Sequence, residues 1–367
     1  MLTVAAVIDH LERLAPPRLA ADWDNVGLLL GERSAPVSRL MTCLTVTPES
    51  AAEAIDRQAG LVVSHHPILF KAARRLTADT PEGRMLLGLA RAGVAVYSPH
   101  TAFDNAAGGI NDLLAARLGL TGVGPLRAGK GPASVKLVVF VPEKDLATVS
   151  DAVFAAGAGR IGEYAECSFR LAGTGTFFGS DSSNPTVGQK GRREEVSEWR
   201  LEVVCPEGRV AEVVAAMRRA HSYEEPAFDL YPLRPAPSPL GEGRVGDLPA
   251  AAPLEELAGR LRRALGCGPV QVVGERGRAV RRVAVACGAG GELLPDAARA
   301  RADVFLTGEM RFHDYLAARA LGVALLLPGH HATERPGVED LAGRLKATWP
   351  QLEVWASERE ADPVTWA

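Results

Sequence analysis

The sequence predicts an α/β protein: two related α/β halves form one core, interrupted by an inserted ferredoxin-like α+β module. Three observations carry that prediction. Helix and strand signals alternate over the first third of the chain, they alternate again after residue 247, and between these regions lies a stretch with an antiparallel pattern. The expected division is 1–127 with 247–367 for the core, 128–235 for the insert and 236–246 for a linker.

The first helix signal covers 4–14, and an apolar run follows at 40–46. Residues 48–58 carry Ala51, Ala54 and Ile55 at helical spacing behind Thr47, whose hydroxyl can accept from the free N–H groups of a first turn. Short continuous apolar runs at 61–63 and 94–97 suit parallel strands buried on both faces, and 109–118 closes this half as a helix. In the insert, 135–141 reads as strand, 143–156 as helix, 169–178 as Gly-punctuated strand and 181–193 as polar loop. Strand 200–204, helix 208–220 with Val210, Val213, Val214 and Met217, and strand 227–233 complete it. The run PLRPAPSPLGEGRVG at 232–246 has the composition of a linker. Beyond it come helix 254–265, strand 280–286, helix 293–300, strand 304–306, helix 313–321, strand 323–327, helix 337–347 and strand 352–355.

At 367 residues and 47% hydrophobic content, the chain can bury more than one core. Its 41 basic and 44 acidic side chains leave a formal charge of -3, so no global field draws it to nucleic acid or an anionic membrane. Nucleic-acid binding is not indicated, because no basic stripe carries interleaved aromatics. No run of about 18 apolar residues marks a membrane span. The first helix carries Asp9, Glu12 and Arg13 where a signal peptide would be uninterrupted and apolar, so secretion is not expected. Cys43, Cys167, Cys205, Cys267 and Cys287 are widely spaced without a CxxC pair, which points to a reducing cytoplasm.

The chain has eight histidines, and five of them directly follow expected strands. In α/β folds the carboxyl ends of parallel strands face the crevice where ligands bind. Three clusters sit there: VVSHHP with His65 and His66, YSPHTAFD with His100 and Asp104, and LLLPGHHATE with His330, His331 and Glu334. Imidazole with carboxylate is a ligand set for Zn, Fe, Mn or Ni. Adjacent histidines on an extended segment point to opposite sides, so His65 and His66 suit two neighbouring ions better than one. A carboxylate such as Glu334 can bridge ions held roughly 3.5–4 Å apart. Any one of these histidines alone would more often be a loop or capping residue, and His331 can simply face away. Glu309 and His313, in TGEMRFHD, are candidates for orienting ligands or moving protons, with helix capping and surface roles as the alternative.

The segments DWDNVGLLLG, VVSHHP, YSPHTAFDNAAGGIND, TGE and GHHATE occur in that order, and together they resemble the NGG-interacting-factor-three-like family of dinuclear-metal-centre hexameric proteins, often labelled GTP cyclohydrolase I type 2 homologs. The resemblance runs through nearly the whole chain. Within the insert, GTGTFF, NPTVG and AHSYEEPAFDLYPL are similar to the middle domain of the long members. Matched motif by motif, it implies two divalent metal ions per chain on His65, His66, Asp104, His330 and Glu334, leaving His331 out. It places Asn25 and His100 nearby as orienting or substrate-contacting groups. It also implies a toroidal homohexamer with a trimer-forming, nucleotide-sensor-like insert, and a nucleotide-like or other small-molecule substrate.

Two further signals are discounted. GPLRAGK at 124–130 has phosphate-loop spacing, but Gly131 stands where Ser or Thr must hold magnesium. CGAGGELL departs from the dinucleotide fingerprint and reads as a tight turn near the site. His221, with Tyr223, Glu224 and Glu225, reads as a residue that caps a helix and packs the sheet, with pocket lining as the alternative. Two functions remain. One is a metal-dependent hydrolase in which His100, Glu309 or His313 shuttles protons; the other is a non-enzymatic metal-binding hexameric scaffold or regulator.

Overall fold

A computed structural model describes residues 1–131 and 133–365; Pro132, Trp366 and Ala367 lie outside the described residues. The chain divides into two compact units, Met1–Gly129 with Pro239–Ala367, and Lys130–Ser238. The architecture is mixed α/β with three sheets.

The first unit opens with α1 (Val4–Leu14), β1 (Gly27–Leu30), β2 (Arg39–Cys43), α2 (Pro48–Asp56), β3 (Leu61–Ser64), α3 (Pro81–Arg91), β4 (Ala95–Ser98), α4 (His100–Asn105), α5 (Ile110–Arg117) and β5 (Thr121–Lys130). The second unit holds β6 (Ser134–Pro142), α6 (Leu146–Ala155), β7 (Phe169–Phe178), β8 (Arg193–Pro206), α7 (Val210–Ala220) and β9 (Phe228–Leu233). The first unit resumes with β10 (Pro237–Pro253), α8 (Leu254–Leu265), β11 (Gln271–Val273), β12 (Ala279–Val285), α9 (Leu294–Arg299), β13 (Val304–Leu306), α10 (Phe312–Leu321), β14 (Ala324–Leu327), α11 (His330–Thr348) and β15 (Glu353–Ala356).

The two sheets of the first unit repeat one order. In one, β1-β4-β3-β2 runs to a further strand, β15; in the other, β11-β14-β13-β12 runs to β10 and β5. Each repeat has three parallel strands, with the strand that precedes them in sequence returning antiparallel at the far edge. Strands buried on both faces explain the uninterrupted apolar runs. Val4, Val7, Ile8 and Leu11 of α1 pack with Leu40, Leu61, Val63 and Tyr97 on one face of the first sheet, while Met41, Val62 and Val96 meet Ala51, Ala54 and Leu89 on the other. In the second sheet, Leu254, Leu257 and Leu261 of α8 cover Val283, Val285, Val304 and Leu306, and Ala284, Phe305 and Leu325 meet Leu294 and Ala297 of α9. Full burial of a Leu, Ile or Phe side chain contributes about 1.5–3 kcal/mol, so these layers are the main source of cohesion.

Two expectations are corrected, the linker and the start of the final helix, and the last strand lies where no local pattern places it. The Pro/Gly-rich run expected as a linker is strand from Pro237 onward: β10 pairs with β12 from Arg244↔Val285 through Pro253↔Ala279. Its glycines serve close backbone approach, since a Cβ on Gly241 would meet the Arg127 carbonyl oxygen at 2.1 Å. The last strand, β15, joins the sheet of the first half, in parallel register with β2 from Glu353↔Arg39 to Ala356↔Thr42. The final helix begins at His330, seven residues earlier than its periodicity indicates, because Pro336 is accommodated within it. The discounted phosphate-loop spacing lies within strand β5.

In the second unit the chain order is βαββαβ, and the sheet order β7-β8-β6-β9 is antiparallel throughout. Leu137, Val139, Val141, Leu201 and Val203 pack beneath Val149 and Val153 of α6 and Val213 and Met217 of α7. No helix among the described residues is long and apolar enough to cross a membrane.

Candidate metal centre

The site is built at the carboxyl ends of β3, β4 and β14. The N–H groups of His65 and His66 donate to the carbonyls of Cys43 at 2.9 Å and Leu44 at 2.8 Å, extending the β2–β3 ladder beyond Ser64. The two rings therefore leave an extended backbone on alternate sides. Ser98 Oγ donates to the His65 carbonyl and Ser64 Oγ to that of His66, each at 2.6 Å, which fixes the turn. His100 opens α4 with φ +28°, and Asp104 lies one turn further along. His330 opens α11 with Glu334 one turn on. Topologically equivalent helices thus each present a histidine and, four residues later, a carboxylate on one face.

These side chains converge. His65 Nε2 stands 3.5 Å from Asp104 Oδ1 and 3.9 Å from Glu334 Oε1. His66 Nε2 and His330 Nε2 each stand 3.0 Å from Glu334 Oε2. Single donor atoms of His65, His66 and His100 lie within 4.8 Å of one another, as do those of His66, His330 and Glu334, so two triads share His66. Gly288, at φ +60°, lies against this carboxylate: a Cβ there would meet Glu334 Oε1 at 2.2 Å.

Outer contacts orient the rings. His100 Nδ1 donates to Asp24 Oδ1 at 2.7 Å, which leaves its Nε2 facing the cluster as an acceptor. Asp24 also accepts from Thr101 N at 3.1 Å, Asn25 N at 2.7 Å and the Thr101 hydroxyl. Glu309 Oε1 accepts from His330 Nδ1 at 3.0 Å, and the Thr45 hydroxyl lies 2.7 Å from His66 Nδ1.

The electrostatics are those of a desolvated charge cluster. Burial, only partly offset by Glu334, lowers His65 to about 3, so its ring is neutral and its lone pair free. Burial, reinforced by the Glu334 charge, raises Asp104 to about 7. Burial works against ionised Glu334, yet His330 and His66 beside it hold the carboxyl below its usual range. Burial likewise opposes a charge on His330, which Glu334 and Glu309 overcome to raise it to about 9.

The donor set fits a metal. Both ring nitrogens of His65, together with Asp104 Oδ1, His330 Nε2 and Glu334 Oε2, are buried without a hydrogen-bond partner. Buried polar atoms in native proteins almost always have partners, and a neutral imidazole beside an ionised carboxylate is what a divalent cation takes up.

Of the residues singled out in the sequence, His65, His66, His100, Asp104, His330 and Glu334 meet at the cluster. Glu309 touches it through His330. Asn25 Nδ2 donates to the Leu69 carbonyl at 2.6 Å, so this amide ties two loops together. His313 is exposed, edge-on to Phe312 at 5.9 Å, because the first turn of α10 points it outward; the structure does not bring it to the cluster. His331 Nε2 is buried without a partner but belongs to neither triad. Asp24 was missed, although a carboxylate beside Asn25 in the DWDN segment was the available signal. Cys287 was also missed: its thiol lies by Asp104, and burial, with the Asp104 and Glu334 charges, pushes it well up.

The second unit contains a cavity of about 650 Å³, lined among others by Phe140, Glu198, Arg200, Tyr223, Glu224 and Glu225. His221 is structural: its Nδ1 accepts from Tyr223 N at 3.0 Å, so Nε2 carries the proton it donates to the Phe140 carbonyl, also at 3.0 Å.

The "GTP cyclohydrolase 1 type 2 homolog" of Halalkalibacterium halodurans is 39% identical over 362 residues, covering 98% of this chain and 97% of that protein. A Bacillus cereus protein described as related to NIF3 superposes with a TM-score of 0.74 at 33% identity, over 100% of this chain and 99% of that one. A Staphylococcus aureus protein superposes with a TM-score of 0.85 at 25% identity and the same coverage. The model of the Duf34/NIF3 (NGG1p interacting factor 3) family matches residues 2–363, and the chain belongs to that family.

Proposed function

We propose that this protein binds two divalent metal ions, on His65, His66, Asp104, His330 and Glu334, and uses them to hydrolyse a small nucleotide-like substrate. The observation that carries the reading is the buried His65 ring, whose two nitrogens have no hydrogen-bond partner among the described residues and which stands beside Asp104 and Glu334. His66, His330 and Glu334 could together hold one ion, and His65 stands 3.5 Å from Asp104 close by, which supports a paired site. When bound, the ions supply Lewis acidity and make water a nucleophile near neutral pH. The chain itself supplies a base: with Nδ1–H held by Asp24, His100 Nε2 accepts a proton from attacking water and returns it to the leaving group. Glu309 keeps the His330 ring in orientation and is a positioning residue here. Zn, Fe, Mn and Ni all suit the donor set.

The nucleotide-like substrate follows the name carried by relatives such as the Halalkalibacterium halodurans protein. The toroidal homohexamer, the ferredoxin-like identity of the βαββαβ unit and a reducing cytoplasm with five free thiols belong to the same reading. A second reading has its own observation. The ligands come from β3 and β4 of one sheet and from the helix after β14 of the other, so bound ions would staple the two sheets and the protein would serve as a metal-held scaffold. The test is protein purified without chelator, analysed for metal and turned over against a nucleotide panel, with Asp104→Asn and Glu334→Gln alongside. Bound metal with turnover that both variants abolish, in an intact assembly, supports hydrolysis. Disassembly without metal, and no turnover from any reconstituted form, supports the scaffold. Fewer than about one ion per chain overturns both.

A further inference from the structure

We propose that Trp23 and Phe70 form a ring-stacking mouth on the histidine cluster and that Lys71, Arg74 and Arg75 hold a phosphate, so the site accepts a planar ring compound bearing a phosphate group. The inference deepens the hydrolase reading, and its binding test stands apart from turnover.

Trp23 and Phe70 are large apolar side chains left 59% and 52% exposed. Their ring centroids are 5.8 Å apart at 64°, and both face His100, at 6.0 Å and 6.4 Å. His100 in turn lies 5.2 Å from His65 and 5.6 Å from His66. Aromatic surface therefore runs from solvent to the donor nitrogens. The backbones beneath the two rings are fixed while the rings stay open. Asp24, next to Trp23, is held by His100 and Thr101, and the Asn25 amide clasps the Leu69 carbonyl next to Phe70. Loops tied in this way present a preorganised surface, and every planar base or ring has a face that can stack on it.

The loop beyond Phe70 supplies charge. Lys71, Arg74 and Arg75 are exposed, and among the described residues none makes an ion pair, unlike Arg33, Arg127, Arg244 and Arg335. A residue advances the chain by at most about 3.6 Å, so the Arg75 backbone lies no further than about 18 Å from that of Phe70. Three exposed cations that follow an exposed aromatic residue in the same loop supply the charge that recognition of a ring phosphate needs.

The test is calorimetric titration of the metal-loaded full chain with AMP, GMP and flavin mononucleotide, and with ribose 5-phosphate as the ringless control. At least one ring phosphate is expected to bind more tightly than ribose 5-phosphate. Trp23→Ala and Phe70→Ala should weaken that binding roughly 5- to 100-fold without affecting ribose 5-phosphate, and Trp23→Phe should restore most of it. Replacing Lys71, Arg74 and Arg75 together by Gln should weaken every phosphate ligand and flatten the salt dependence. The proposal is overturned if no ring phosphate outbinds ribose 5-phosphate, or if the alanine variants bind unchanged. It is also overturned if those variants alter the mass of the assembly and not the affinity, which would make the rings a contact between copies. Ring-dependent binding without turnover leaves the mouth standing and removes the hydrolase reading; turnover without ring preference does the reverse.

Discussion

Asp24→Asn is the most informative single substitution, because it keeps the shape of the side chain while removing the charge that orients His100. The Asp24 side chain is fully buried and receives the His100 Nδ1–H, two backbone N–H groups and a hydroxyl. Burial alone would raise its carboxyl. The bonds from His100 and Thr101 prevail and hold it at about 2 against an ordinary 3.8, a difference worth about 2–3 kcal/mol in favour of the folded, ionised form. The sign follows from linkage. A carboxyl held below its unfolded value contributes stability that is complete above pH ~4 and disappears as pH falls toward 2. In a unit of this size about 2–3 kcal/mol corresponds to roughly 5–10 °C in thermal midpoint. The assay is the melting of wild type and Asp24→Asn between pH 7 and pH 2.5. The variant should melt roughly 5–10 °C lower at pH 7, with the gap narrowing as pH drops below about 4. His100, raised in the wild type because Asp24 outweighs its burial, should titrate lower in the variant by NMR. A gap that stays constant across the pH range would mean a packing defect and would refute the electrostatic coupling, as would an unmoved His100.

Gly288→Ala places a methyl 2.2 Å from Glu334 Oε1 in a backbone region that disfavours side chains, so bound metal measured by elemental analysis should fall markedly while far-UV circular dichroism stays native. Glu309→Ala frees the His330 ring and should weaken metal affinity about 10- to 100-fold in competition with a chelator; unchanged affinity would show that the Glu309 contact is incidental. Glu53 is 1% exposed and accepts from Trp355 Nε1, Ser357 Oγ and the Glu358 and Arg359 N–H groups. Burial opposes its ionisation, but these donors lower its carboxyl, so its contribution is present above pH ~4.3 and lost as pH falls through the lower folded value. Glu53→Gln turns an amide NH2 toward donors and should cost about 2–4 kcal/mol at pH 7, with a flatter acid limb in thermal melts.

Local patterns made much of this chain readable, and non-local pairings account for what was missed. The helix over 4–14 and the strand over 304–306 sit where the apolar spacing puts them, because burial on one stripe or on both faces leaves a direct imprint on sequence. Strand β10 leaves no such imprint, since its Gly and Pro residues serve close approach to β5 and their composition mimics a loop. β15 looks like any other strand; only the whole fold decides that it pairs with β2, more than 300 residues away. Asp24 was hidden for the same reason, because its partner His100 is remote in sequence and no periodicity links them.

The site itself was readable because its parts are local even though their meeting is not. His100 and Asp104, like His330 and Glu334, each occupy one face of one helical turn immediately after a parallel strand, and the two strands, β4 and β14, hold the same place in the repeated orders β1-β4-β3-β2 and β11-β14-β13-β12. Each half therefore offers an incomplete set of donors. The donors meet across the two halves: Glu334 reaches both His330 of its own helix and His66 of the first sheet at 3.0 Å, and the β3 histidine His65 is left with both ring nitrogens orphaned. His330 and His66 offset the burial of Glu334, but burial and the Glu334 charge together raise Asp104, so the gap between the packed halves favours a cation beside that carboxyl. Such a gap couples metal binding to the packing of the two sheets, whichever chemistry follows. Chelation should then lower the melting temperature of the first unit, and by more in wild type than in Glu334→Gln, which has already lost a ligand carboxylate.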